Sequence, residues 1–568
     1  MTSVLGVALT LRESFHAAGF RSATQNPEES QKRVLLRLLR GNAETLFGRE
    51  HGFSRIQTPQ EYARAVPIRD YERFRPYVNR IEAGEDRILT VQRPVMFNTT
   101  SGTTAEPKLI PVTADWRDQT ASLTRLWMLR TMRDHARCFD GKVLYLASPA
   151  FEGRTPHGTP IGSMTGLIYE RLPAIVRRQY ALPYPVMLIA DPDTRYLVIM
   201  RLALAERGIS IACTPNPSSF MRLGETAADH SEAMIRGVRD GTLGIEVGAT
   251  LAHPVYSREG AIAAIRAGLR ADPARARELD AIVGAQGGFS APHCWPHLSV
   301  IGCWLGGSAG VHARRLAEHL GPGIVLRDLG LAASEGRFTI PVEDHSPEGA
   351  LVVHASFFEF IPEDRIEDEV PPVRLAHELE DGKRYYVLIS GGNGLYRYDI
   401  NDIVEVRGFY GRTPKVFFVR KGRDMVSITG EKLHLNQIQV AVREAETQAG
   451  LAVWQFRIIP DVAASRYDLL LEAEDDSHSE AQRLGFIEAF DRHLSAVNIE
   501  YESKRKSRRL GPPRLFLMRK GWSERLSRAD FQRGKRELQY KWPAICDSWD
   551  DASRLEVLPV RNDTGRRA

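Results

Sequence analysis

The sequence predicts an α/β protein built as two units, and three observations carry that reading. Between about residues 90 and 350, short apolar runs alternate with longer stretches of helical period. That alternation is the pattern of a mainly parallel sheet with crossover helices. From 349 to 419 the chain becomes strand-rich, which predicts an antiparallel subdomain closing the large unit. After Lys421-Gly422-Arg423-Asp424 a fresh set of helices and strands begins, long enough to own a core. The domains are therefore placed at 1–422 and 423–568.

Each element has its own signal. Residues 29–48 put Val34, Leu35, Leu38, Leu39 and Leu46 on one broad helical face. VLYLAS (143–148), HLSVIGCWL (297–305) and GIVLRDLGL (323–331) read as strands, and 119–133, 193–207, 259–271 and 311–320 as helices. The antiparallel stretch is ALVVHASFFEFI (350–361), KRYYVLIS (383–390), DIVEVRGFY (402–410) and KVFFVR (415–420). The second unit reads as a helix (434–448), two strands (454–459, 467–473), a helix (478–496), a strand (514–519) and a last helix near 527–537.

Composition narrows the class. Of 568 residues, 43% are hydrophobic and 26% charged, the balance of a soluble globular protein rather than a disordered one. No uncharged apolar run reaches the length of about 18 residues that a membrane span needs, so no membrane partner is expected. Met1 to Phe20 meets Arg12 and Glu13 with no basic leader before them, unlike a secretory signal. Five scattered cysteines argue against a disulfide framework and for a reducing cytoplasm. Residues 501–520 carry a local charge of +7, leaving −2 elsewhere from a total of +5. With no second basic stripe, this reads as a solvated turn rather than a nucleic-acid arm.

The strongest local signal is Thr99-Thr100-Ser101-Gly102-Thr103-Thr104-Ala105-Glu106-Pro107-Lys108, between Val95-Met96-Phe97 and Leu109-Ile110-Pro111. Hydroxyls and amides donate to phosphate oxygens, glycine lets backbone approach, and a lysine adds charge. No G-x-x-x-x-G-K-[ST] occurs, so it is not a Walker loop. As a competing reading, the same run is a Ser/Thr-rich surface turn.

This loop resembles that of the adenylate-forming superfamily. The form TSGTTAEPKLIP is closest to the plant auxin-responsive acyl acid–amido synthetase family. Ala105 replaces the commoner glycine, which favours that branch over acyl-CoA ligases. Three further segments agree in order. Ala332-Ala333-Ser334-Glu335-Gly336 resembles the family's S-S-E motif, where a carboxylate holds Mg²⁺ against phosphates. Tyr396-Arg397-Tyr398-Asp399-Ile400-Asn401-Asp402 resembles Y-R-x-G-D, whose last carboxylate accepts from both ribose hydroxyls. Asn401 stands for the usual glycine, which a left-handed turn tolerates. Gln539-Tyr540-Lys541-Trp542-Pro543 resembles Q-Y-K-x-P, whose lysine assists adenylation from the small domain. FGREHGFSRI, VPIRDYERFRPYVNRIEAGE and CWPHLSVIGCWLGGSAG share the resemblance.

What the resemblance implies follows residue by residue. The catalytic set is Lys541, Lys108 and Glu335, with Glu335 also the metal ligand. The ATP-binding set is Thr100, Ser101, Gly102, Thr103, Thr104, Ala333, Ser334, Asp402, Phe418 and Lys421. Gly306, Gly307 and Ser308 form a loop lining the acyl pocket. The fold is a large adenylating domain with a small mobile α+β cap. ATP and Mg²⁺ are the expected cofactors, and a small carboxylic acid and an amine the expected partners of a monomer. The acid attacks the α-phosphorus to give acyl-adenylate and pyrophosphate, and the amine then displaces AMP.

Competing readings remain beside it. Gly306-Gly307-Ser308-Ala309-Gly310 fits the G-x-S-x-G of a serine hydrolase elbow. His293-Cys294-Trp295-Pro296-His297 with Cys303 offers zinc-type ligands at a spacing that matches no finger. A thioester-forming ligase and a nucleotide-binding pseudoenzyme are the remaining alternatives.

Overall fold

The computed structural model describes residues 17–100, 108–307, 309–422, 425–474, 478–532 and 542–558. They fall into two compact units that divide after Gly422. In the first, helix α1 (Pro27–Gly41) has proline in its first turn and buries Val34, Leu35, Leu38 and Leu39. Leu46, expected on the same face, lies on a separate short helix (Leu46–Glu50) whose N-cap Thr45 accepts from the Gly48 amide. A side-chain cap of this kind satisfies orphan amides and lets the chain restart after a break. Helix α2 (Tyr71–Glu82) follows, capped by Asp70.

Strand β1 (Met96–Thr100) pairs antiparallel with β2 (Lys108–Val112), and helix α3 (Ala114–Asp134) starts at the Thr113 cap. Next come β3 (Lys142–Tyr145), β4 (Gly153–Arg154), β5 (Pro160–Gly162), β6 (Ile209–Cys213), β7 (Val300–Gly302) and β8 (Val325–Arg327). Two four-stranded sheets result, ordered β2-β1-β5-β4 and β3-β6-β7-β8. The second is wholly parallel. Its strands β3, β7 and β8 are shorter than the apolar runs that announced them, because each run continues into the loop at the strand's C-terminal end, and β6 was not among the expected strands. Helices Pro192–Ala205, Arg258–Arg266 and Ala309–Glu318 occupy three of the expected helical stretches, the second ending earlier than its pattern.

A two-stranded ribbon, β9 (Ala332–Ala333) and β10 (Gly336–Arg337), precedes β11 (Thr339–Pro341), β12 (Gly349–Leu351), β13 (Phe357–Pro362), β14 (Arg374–Leu375), β15 (Arg384–Ser390), β16 (Tyr398–Tyr410) and β17 (Thr413–Lys421). The last seven form one antiparallel sheet, ordered β11-β12-β17-β16-β15-β13-β14. The continuous run 350–361 is thus two strands, β12 and β13.

In the second unit, β18 (Met425–Val426) pairs with β19 (Leu433–His434), and β20 (Val453–Asp461), β21 (Arg466–Ala473) and β22 (Arg514–Met518) form a three-stranded sheet. Helices Leu435–Ala449 and Glu480–Val497 accompany it, burying Ile438, Val442, Phe486 and Phe490 with Leu469 and Leu471. The helix expected to be last begins earlier, at Trp522, and is described to Gln532; a further short helix, Asp551–Leu555, follows it. The basic run is not a turn throughout: Ile499–Lys506 is helical. Several of its charges are matched within the unit, Arg505 by Asp491 at 2.6 Å and Arg514 by Asp461 and Asp468 at 3.0 and 2.8 Å.

Candidate active site

The hairpin β1–β2 frames the hydroxyl-rich loop. Thr100 and Lys108 are cross-strand partners at its mouth, so the loop's two ends are fixed at adjacent backbone positions. Ser101, Gly102, Thr103 and Thr104 lie outside the described residues. Lys108 is drawn inward: its ammonium lies 5.5 Å from the centre of the Tyr71 ring. Tyr71 is itself locked, its oxygen accepting the Leu109 amide at 2.7 Å and its hydroxyl donating to the Leu109 carbonyl at 3.1 Å. Burial lowers the pKa of Lys108; the nearby Glu335 carboxylate opposes that shift and Lys421 adds to it. Lys108, Glu335 and Lys421 therefore share one electrostatic environment.

The Ser334–Glu335 segment is stitched to the strand that opens the loop. The Ser334 hydroxyl donates to the Thr99 carbonyl at 3.4 Å, and the Asn98 amide donates to the Ser334 carbonyl at 3.3 Å. Asn393 donates to the Glu335 carbonyl at 3.1 Å. The buried Glu335 side chain accepts from the Tyr398 hydroxyl at 3.3 Å through Oε1. Ala333 sits in β9, half-buried, just before this segment.

This shell fits a magnesium ion. Glu335 offers a hard carboxylate, and Asn98 and Asn393, whose amide nitrogens bond the Ser334 and Glu335 carbonyls, keep buried Oδ1 atoms with no hydrogen-bond partner among the described residues. Magnesium takes one or two such ligands and completes its shell with phosphate and water.

Asp402 and Lys421 face each other across β16 and β17 as paired positions. The Lys421 ammonium is ion-paired with the Asp402 carboxylate and reaches the Ile400 carbonyl at 3.5 Å. Asn401 takes φ +56°, the left-handed turn its position requires, and its amide donates to Asp399 at 2.7 Å. Arg397, at φ +48°, is structural. It is bound to buried Glu359 at 2.9 Å and to the carbonyls of Ala63 and Val66 at 2.8 Å.

Phe418, also on β17, packs on the glycine loop. A Cβ on Gly307 would lie 2.7 Å from its ring, and one on Gly306 would lie 3.3 Å from its carbonyl oxygen. Gly307 also has φ +56°, so glycine is required there for both space and conformation. Ser308 and Lys541 lie outside the described residues. Trp542, the next residue, is fixed in the second unit by its indole N–H on the Phe456 carbonyl at 2.7 Å.

The structure thus gathers Lys108, Ser334, Glu335, Asp402 and Lys421 in the first unit, with Phe418 against Gly306 and Gly307. The sequence reading missed Tyr71, Asn98, Asn393 and Tyr398. Asn98 adjoins the hydroxyl run and Asn393 sits in a Gly-Gly-Asn-Gly turn, which is a local signal. Tyr71 has none, because its role comes from packing alone.

Family models match three consecutive stretches: the GH3 family N-terminal domain over 17–325, the central domain over 349–421 and the C-terminal domain over 436–549.

The chain belongs to the GH3 family.

A probable indole-3-acetic acid-amido synthetase GH3.2 of Oryza sativa subsp. japonica is 25% identical over 94% of this chain and 91% of its own length. Jasmonoyl–L-amino acid synthetase JAR6 of Nicotiana attenuata is 24% identical over 95% and 94%. Among solved structures, the GH3.15 acyl acid amido synthetase superposes with a TM-score of 0.61 at 22% identity, covering 95% of each chain. A 2-hydroxyisobutyryl-CoA ligase holding 2-HIB-AMP and CoA superposes at 0.51 and 13% identity, over 93% of this chain and 91% of that one. These likenesses establish the adenylate-forming fold for this GH3 chain.

Proposed function

We propose that this GH3 protein is an ATP-dependent acyl acid–amido synthetase. It joins a small carboxylic acid to an amine, such as an amino acid, through an acyl-adenylate. The observation that carries the reading is the pinning of Ser334–Glu335 onto Asn98 and Thr99, at the strand opening the hydroxyl-rich loop, with Lys108 in the field of Glu335. A carboxylate does not react with an amine because its leaving group is poor; an adenylate supplies a good one. Adenylation gathers negative charge on phosphates, and preorganised positive groups and donors stabilise it.

Each residue then has a role. Lys108 supplies fixed charge at the loop mouth, and Asp402 accepts from the ribose hydroxyls with Lys421 as its ion-pair partner. Phe418 and the Gly306–Gly307 loop form a wall beside the nucleotide and acid. Glu335, held by Tyr398, would carry magnesium, which when bound offsets phosphate charge. Residues 423–568 serve as the cap, and their Lys541 assists adenylate formation. The reading places the protein in the cytoplasm as a monomer acting on small molecules, without nucleic-acid or membrane partners.

The test is a panel of carboxylic acids in an ATP–pyrophosphate exchange assay, then a panel of amines with mass detection of products. Acid-dependent exchange, AMP and an amide are expected. Stoichiometric ADP, or a coenzyme A thioester in place of the amide, would overturn the reading.

A further inference from the structure

In parallel α/β sheets, ligands lie outside the carboxyl ends of the strands, and here two neighbouring strands deliver two walls of the site. β7 runs into Leu305-Gly306-Gly307, under Phe418, and β8 runs into the segment that reaches Ser334–Glu335. One buried side chain spans both exits. Asp328 Oδ2 accepts the Leu305 amide at 2.6 Å, and Oδ1 accepts the Gly330 amide at 2.5 Å. Gly330 has φ +86°, and a Cβ there would sit 2.5 Å from the Thr339 carbonyl oxygen, so the second turn is closely constrained. The Asp328 carbonyl is also engaged, by the Trp127 indole at 2.8 Å.

We propose that Asp328 is a positioning residue for adenylation: its carboxylate ties Leu305, at the head of the glycine loop, to the turn at Gly330 that leads on to the Ser334–Glu335 segment, and so sets the spacing of those two walls. The inference rests on the reading of this site as the adenylating one. Both partners are N–H donors, so only the ionised carboxylate accepts from both; a protonated one loses an acceptor position.

Burial pushes the Asp328 carboxyl up to about 7, against the two amide bonds and the Arg337 guanidinium, which favour the charge, while Glu348 opposes it. The Cys303 thiol also faces it and is pushed up by burial and by this carboxylate. Neighbouring Arg327 is committed to Asp134 and Asp344, each at 2.7 Å. The carboxylate therefore offers both oxygens only above about pH 7, and, because its folded pKa is raised, that ionisation costs stability instead of adding it as pH rises.

Two measurements test this. In ATP–pyrophosphate exchange, wild-type kcat/KM should rise through about pH 7, and Asp328→Asn should lose roughly 10–100-fold at about pH 8 together with that limb. Hydrogen exchange followed by mass spectrometry needs no substrate. The carboxamide keeps one acceptor oxygen, so at least one of the peptides holding the Leu305 and Gly330 amides should lose protection in Asp328→Asn. If the variant fails to fold, the wild type suffices: the peptides holding the Leu305 and Gly330 amides should be protected at about pH 8, and free exchange of either overturns the proposal. Unchanged protection, or a variant pH profile superimposable on that of the wild type, overturns the proposal. A wild type that exchanges with no acid would sink the synthetase reading, while the amide protection would still decide whether the tie exists.

Discussion

The ammonium of Lys421 is ion-paired with the carboxylate of Asp402, from a directly paired position on the adjacent strand. Asp402 is 3% exposed, so its ion-pair partner stands beside it where water has little access. Asp402→Ala should weaken ATP binding by about 1.5–3 kcal/mol, the range for bonds to a charged group. A 2′,3′-dideoxy nucleotide separates the two members of the pair. Its penalty relative to ATP should vanish in Asp402→Ala and persist in Lys421→Ala. Equal penalties in wild type and Asp402→Ala would show that Asp402 only supports the fold.

Glu335 and Tyr398 form the metal-side pair. The phenol is held protonated by burial and by the adjacent carboxylate, so it donates throughout the working pH range. Tyr398→Phe should raise the magnesium concentration for half-maximal pyrophosphate exchange severalfold while leaving the rate at saturation within about threefold. Glu335→Gln should cost about 10²–10³-fold even at saturating metal. A magnesium titration of both variants checks this, and an unaltered requirement in both would remove Glu335 from metal binding.

Lys108 gives a pH signature. Burial lowers its pKa and Lys421 lowers it further, with Glu335 opposing. In the folded protein it therefore gives up its proton at a lower pH than an exposed lysine. Below that folded pKa its charge costs stability; the cost is relieved as pH rises through it, just as adenylation loses the charge it needs. The exchange rate should fall on the alkaline side before an ordinary lysine would titrate. Lys108→Met should lose about 10²–10³-fold and show no such limb, and Lys108→Arg should lack the limb without regaining full rate, since a planar fork replaces a compact ammonium. Rate–pH profiles of the three proteins decide it.

Lys541 should matter for one half-reaction only. Lys541→Ala is expected to lose about 10²–10³-fold in adenylate formation. Amide formation from presynthesised acyl-adenylate should change less than about tenfold, because pyrophosphate has already left and positioning dominates. Equal losses in the two steps would mean that the residue is structural.

The parts of the protein written in local order are legible without a structure. The alternation of strands and helices, the strand-rich middle and the renewed pattern after Gly422 are properties of neighbouring residues, and hydrophobic period reports them directly. The hydroxyl run, Ser334–Glu335, Asp402 and Lys541 could be named because each sits in a short segment with a chemical signature. Which of these residues meet depends on the fold. Asp402 and Lys421 are 19 positions apart and pair through strand register; Asn98 and Ser334 are 236 apart and meet through sheet packing. It also decided the end of helix α1 at Gly41, where the Thr45 cap overrode a periodic face that ran on to Leu46. Tyr71 and Asp328 were invisible for the same reason. Asp328 also closes a local turn on the Gly330 amide two residues on, but its bond to Leu305 and that of Tyr71 to Leu109 go to backbone amides brought to them by the fold, and a backbone amide carries no mark in the sequence.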